Sequence, residues 1–204
     1  TITSNNGYGI IANASDNNDI TNNALSNNRY GIYLNHSTNC KLRKNKMTCN
    51  KYNFAVFGDS TSDFDHDIDT SNTVDGKPII YWVNRYNSEV PSNAGFVAIV
   101  SSTKIAIRGL NLTKNGQGVL FAFTSNSLIE RVNTLGNEYG IYLVNSYSNK
   151  IIGSAVSNNT FGIYQRYSNG SLICHNNFIN NTNQVDLDQP SNTWDDGAGK
   201  GNYW

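Results

Sequence analysis

Asparagine recurs at positions 6, 28, 50, 72, 93, 115, 137, 159 and 181. Seven of the eight intervals are 22 residues and one, Asn72 to Asn93, is 21. A fixed period of about 20–50 residues marks a solenoid, in which each repeat stacks on the next. Other residue types keep the same phase. Gly9, Gly31, Gly118, Gly140 and Gly162 each follow a ladder Asn by three residues. The next position holds Ile10, Ile32, Phe54, Phe96, Val119, Ile141 or Ile163. Two further on comes Ala12, Leu34, Val56, Ala98, Phe121 or Leu143. This alternation is that of a strand. A second apolar phase runs through Ile20, Leu42, Phe64, Ile105, Leu128, Ile151 and Leu172, and a third through Leu25, Met47, Leu112, Val132, Val156 and Phe178.

Three short strands and three polar turns per period exclude a helical repeat, and doublets such as Asn22-Asn23 and Asn158-Asn159 oppose helix as well. The pattern predicts an all-β parallel β-helix of eight to nine coils. At the strand spacing of about 4.8 Å, eight coils make a rod of roughly 40 Å. Inward asparagines then hydrogen-bond from coil to coil at a turn, which assigns most of them to structure. The chain reads as one domain, 1–204, with 193–204 covering the C-terminal end of the core, as terminal repeats must. It starts at Thr1 inside a repeat, as a mature fragment or a piece of something longer would.

Charge is balanced, 15 basic against 15 acidic residues. Broad attraction to nucleic acid or to an anionic membrane is therefore not expected. No apolar run reaches membrane-spanning length. Cys40, Cys49 and Cys174 lack metal-type spacing and read as free thiols. Six glycosylation sequons, at Asn13, Asn35, Asn111, Asn158, Asn169 and Asn180, match the number that chance supplies in so Asn-rich a chain.

Two constellations stand out. In Asp63-Phe-Asp-His-Asp-Ile-Asp69, a strand would place Asp63, Asp65, Asp67 and Asp69 on one face. That makes a weak calcium candidate, without the Gly and distal Glu of a helix-loop-helix site. The 22-residue register offers a structural reading instead, with charge ladders Asp19–Lys41–Asp63 and Arg43–Asp65. Nearer the C-terminus, outward positions of the last coils bring Tyr142, Tyr164, Arg166, Asp186 and Asp188 into one exposed patch. Flat aromatics with a cation and carboxylates suit a sugar ring, so these five are the candidate substrate-binding residues. No nucleophile triad, phosphate loop or zinc spacing is present, and no catalytic residue is identified.

The repeat Asn-Asn-x-Phe/Tyr-Gly-Ile-Tyr carries a family resemblance. So do the segment Asp67-Ile-Asp-Thr-Ser-Asn-Thr-Val-Asp-Gly-Lys-Pro-Ile79 and the endings Asn192-Thr-Trp-Asp-Asp-Gly197 and Gly201-Asn-Tyr-Trp204. Together they resemble the NosD-like right-handed parallel β-helix family, which overlaps the carbohydrate-binding and sugar-hydrolase repeats. The resemblance implies an extracellular or cell-surface setting, as in archaeal surface proteins, with a polysaccharide or surface glycan as partner. The founding member serves copper delivery. With one Met and scattered His and Cys, this chain does not carry that role over, and no cofactor is expected beyond the weak calcium candidate. The function expected is glycan binding on an outer strand face. The alternatives are a polysaccharide-acting enzyme, or an assembly module stacking on neighbouring β-helix domains or copies.

Overall fold

The computed structural model describes residues 1–188 and 191–204. Its strands are short, and they stack in parallel at intervals of 22 residues through most of the chain, as in Tyr8↔Tyr30↔Tyr52 and Gln117↔Tyr139↔Phe161. The fold is a β-solenoid.

The Asn–Asn doublets have a division of labour. The first member takes the left-handed conformation: Asn22, Asn27, Asn158 and Asn180 have φ of 57°, 58°, 53° and 54°. Asparagine tolerates that region because its side chain hydrogen-bonds locally. The second member turns inward. The backbone N–H of Asn137 donates to Oδ1 of Asn159 at 2.9 Å, and Nδ2 of Asn159 donates to the Thr134 carbonyl at 3.1 Å. The same geometry links Asn115 to Asn137 and Asn159 to Asn181. Each inward amide thus satisfies backbone groups that a corner would leave unpaired in the interior. Serine serves at other corners, as in Thr124–Ser146–Ser168. The glycine column has a steric cause. A Cβ on Gly140 would lie 2.7 Å from the Gly162 carbonyl of the next coil, and one on Gly162 would lie 2.3 Å from that of Gln184.

The structure departs from one straight rod. Strands Thr73–Val74 and Lys77–Val83 form an antiparallel hairpin through Asp75 and Gly76, whose φ are 46° and 80°. Every other strand pairing among the described residues is parallel. The hairpin divides the solenoid into a first segment, 1–74, and a second, 77–188. They share a ten-stranded sheet, but the first segment's sheet of Tyr8–Asn13, Tyr30–Asn35 and Tyr52–Phe57 stops at its third strand. That strand's edge meets the second segment: Gly116 N–H donates to the Phe54 carbonyl at 2.9 Å, and Gln117 Nε2 to the Val56 carbonyl at 2.9 Å.

The alternate residues of Phe96–Val100 show what this junction does. Val97 and Ile99 lie in the core of the second segment with Val119, Phe121 and Ile141. Phe96, Ala98 and Val100 lie in a different apolar cluster, with Ile32, Phe54 and Val56 of the first segment. The ring of Phe54 meets Phe96 edge-on at 4.9 Å. An open solenoid end exposes apolar surface. Here the outer face of the second segment covers the end of the first. Phe96 and Ala98, expected to point inward, therefore face out of their own coil, a one-residue slip in the alternation.

The coil lengths explain why the period hid the junction. Lys46 pairs with Thr73, 27 residues on, and Ile79 with Phe96, 17 on. One coil is long and one short by the same amount around 22. Asn72 consequently leaves the expected ladder and accepts from Asn45, while Asn93 is exposed. At the other end, bridges Leu172↔Thr193 and Asn177↔Tyr203 lay the last segment over the final coil, and Trp204 stacks on Phe178 at 4.8 Å.

Candidate functional site

The acidic segment is not one strand face. Thr61–Phe64 forms a 3₁₀ turn that projects Asp63 back onto its own start. The Asp63 carboxylate accepts from the N–H groups of Asp59 and Ser60 and from the Ser60 hydroxyl at 2.7 Å. Burial pushes its pKa up, but these donors hold it below the ordinary carboxylate value. Asp67 and Asp69 both bind Arg43, Asp69 at 3.2 Å from Nε, and Asp65 is exposed. The longer coil shifts the charge ladder by four residues, to Asp19–Lys41–Asp67. The expectation that Asp63, Asp65, Asp67 and Asp69 share a face is thereby corrected.

The second constellation is in register but unequally exposed. Ala98, Leu120, Tyr142, Tyr164 and Asp186 form one column across adjacent strands. Exposure rises along it, from 0% at Ala98 and Leu120 and 3% at Tyr142 to half-buried Tyr164 and exposed Asp186. The first segment covers the near end of the column, and its cover stops between Tyr142 and Tyr164. Tyr142 was expected at the surface. It is buried because Phe57 of the first segment packs on it at 6.2 Å. Arg166 Nη1 pairs with Asp59 at 3.1 Å. The Asp188 carboxylate accepts from the Tyr167 N–H at 2.7 Å. Tyr164, Arg166 and Asp186 thus gather at the rim where the two segments meet, with Tyr142 as floor and Asp188 committed to its own turn.

The rim carries a feature the repeat alone does not disclose. Nine rings contact one another in a chain across the junction: Tyr8, Tyr30, Tyr33, Tyr52, Phe57, Tyr139, Tyr142, Phe161 and Tyr164. Phe57 is the bridge, 5.3 Å from Tyr33 on one side and 5.7 Å from Tyr139 on the other. Six of the nine reach solvent: Tyr8, Tyr33, Phe57, Tyr139, Phe161 and Tyr164. Burial pushes the Tyr33 hydroxyl up to about 12, with Tyr8 and Glu138 adding to the shift. It raises Tyr139 and Tyr142 further. At ordinary pH these hydroxyls are neutral donors beside apolar ring faces. Tyr30 donates to Oε2 of Glu138 at 2.7 Å, tying the two segments together. Burial raises the pKa of Glu138, against the pull of this hydrogen bond and of Arg29 and Lys51.

In sequence, the Tyr in Asn-Arg-Tyr-Gly and Asn-Glu-Tyr-Gly signals a ring at each corner, but only the fold makes the two columns meet. A larger groove of about 480 Å³ lies over Lys104, Ala106 and Arg108. There Arg108 holds Glu89 and Glu130, and Lys104 Nζ donates to the Tyr86 hydroxyl.

Metal-binding chemistry needs converging donors, and these are dispersed. Met47 is fully buried in the core, and Cys40 and Cys174 are buried. His36 pairs with Asp59 and His175 with Asp196, both at 3.1 Å, while His66 Nδ1 accepts from the Cys40 N–H. Among the described residues no three His, Cys, Asp or Glu side chains come together to hold a metal ion. The donor set does not fit copper or calcium. Also among the described residues, no helix is long and apolar enough to cross a membrane.

A search of curated proteins finds no match to the chain. Over residues 1–204, the sequence matches the family described as "Periplasmic copper-binding protein (NosD)", and on the extent of that match the chain belongs to the NosD family.

Proposed function

We propose that this protein is an extracytoplasmic β-helix protein that binds glycans at the aromatic rim between its two segments. One observation carries the reading: the network of aromatic rings that spans the junction, six of them open to solvent. Sugar rings offer an apolar C–H face and a hydroxyl edge. Half-buried tyrosines answer both, through their faces and their neutral O–H donors. Tyr164, Arg166 and Asp186 sit at the open end of the strip, where polar contacts to hydroxyls would set orientation. The family's name and fold support the extracytoplasmic setting. They do not bring copper to this chain, whose soft donors are buried or apart.

The C-terminal cap weighs against end-to-end assembly, because Thr193, Tyr203 and Trp204 occupy two of the three faces on which another coil would stack. A glycan array with neutral and acidic oligosaccharides tests the reading, using Tyr33→Ala and Tyr164→Ala with circular dichroism to verify folding. Binding by the wild type that both substitutions weaken is expected. No binding to any glycan, or binding that both folded variants retain in full, contradicts the proposal.

A further inference from the structure

We infer that the glycan received at this rim is carboxylated, a uronate-bearing chain whose charge is met in the cleft beside Lys51. The inference rests on the glycan-binding reading above and adds the class of ligand. Arg29 and Lys51 lie one coil apart at the same phase, with the Tyr52 N–H donating to the Arg29 carbonyl at 2.8 Å. Each cation stands over the ring that follows it. The Arg29 guanidinium is 5.7 Å from the Tyr30 centroid, and Lys51 Nζ is 5.3 Å from that of Tyr52. Both cations are exposed, and they form an edge beside the buried rings of the strip, Tyr30 and Tyr52.

Among the described residues, four of the fifteen Lys and Arg side chains form ion pairs with carboxylates, and these two are not among them. Arg43, Arg108, Arg131 and Arg166 each hold a carboxylate. Among the described residues, neither Arg29 nor Lys51 makes an ion pair. The carboxylate that acts on both is Glu138, and its Oε2 is engaged by the Tyr30 hydroxyl. Two cations against one carboxylate leave this edge with an excess of positive charge on a chain of zero net charge.

The cleft itself has a volume of about 390 Å³ and lies where Tyr52 meets the turns of the second segment, its hydroxyl 3.4 Å from Thr160 Oγ1. Of its nine lining residues, Lys51 alone is charged and none is a carboxylate. The facing wall offers the exposed amides of Asn158 and Asn180 and the side chains of Thr160 and Thr182. A neutral sugar entering here would dehydrate the Lys51 ammonium without replacing its lost hydration, which is costly. A sugar carboxylate supplies a charge-assisted partner, while the amides and hydroxyls serve the ring hydroxyls. The row of amide and hydroxyl groups suits a polyhydroxylated ring rather than a free anion.

The test is calorimetric titration with short galacturonate oligomers and with the same oligomers fully methyl-esterified, which keeps the rings and removes the charge. The acid form is expected to bind at least about tenfold more tightly, and more weakly as salt rises. Lys51→Gln, at an exposed position that leaves folding intact, should abolish that preference, with thermal unfolding as the control. Equal binding of the two forms, or a preference that survives Lys51→Gln, overturns the carboxylate inference and leaves the glycan reading standing. So does binding of neutral oligosaccharides with none of galacturonate. Failure of every glycan to bind removes both.

Discussion

Single residues set the corner of each coil. Asn159 accepts from the N–H and Nδ2 of Asn137 and donates to the Thr134 carbonyl and to Asn181. Asn159→Ala removes these and strands buried backbone groups, for an expected loss of about 3 kcal/mol in urea unfolding. Asn93→Ala, at an exposed turn outside the left-handed region, should change stability by less than about 0.5 kcal/mol. His66 gives a pH signature. Burial lowers its pKa to about 4 in the folded protein, although nearby Asp63 and Asp65 oppose the shift. The unfolded chain binds a proton near pH 6.5 that the folded one refuses, so stability falls as pH drops from about 6.5 toward 4, by about 3 kcal/mol in all. His66→Asn, whose Oδ1 can take the place of Nδ1 as acceptor for the Cys40 N–H, should flatten that slope in denaturant titrations across pH. Most of this scale was legible. The inward Asn column and the Gly column follow from repetition alone. The left-handed role of the first Asn in each doublet needed backbone angles.

At the scale of elements, the decisive unit is the Asp75–Gly76 hairpin. An Asp-Gly pair between Thr73–Val74 and Lys77–Val83 is a strong short-range turn signal. The 22-residue period masks it, because a coil of 27 and a coil of 17 surround it. The acidic cluster was misplaced because it was read by counting 22 across this longer coil, and Phe96 because it was put in phase with Val119, whose partner is Val97. Gly76 and Gly7 both have open space where a Cβ would sit, and only Gly76 has positive φ. Gly76→Val should therefore cost about 1–2 kcal/mol while Gly7→Val is nearly neutral, as read by chemical denaturation. Similar losses at both sites would mean that the hairpin conformation is not what the glycine serves.

At the scale of the molecule, a solenoid closes one of its open ends with its own outer face, and that closure makes the site. Residues 108 apart in sequence touch: Tyr30 with Glu138, and Tyr52 with Thr160. Periodicity could place Tyr164, Arg166 and Asp186 on one face because they lie in neighbouring coils. It could not place Tyr33 or Phe57 beside them, because nothing within a repeat encodes how two stacks meet. The same closure removes Tyr142 from the surface where the register alone would put it. The most direct measurement is hydrogen–deuterium exchange with and without a bound glycan oligomer. Added protection is expected in both halves of the rim together, around 30–34 and 51–57 in the first segment and 138–142 and 160–165 in the second. Protection confined to one segment, or to the groove over Lys104 and Arg108, would contradict it.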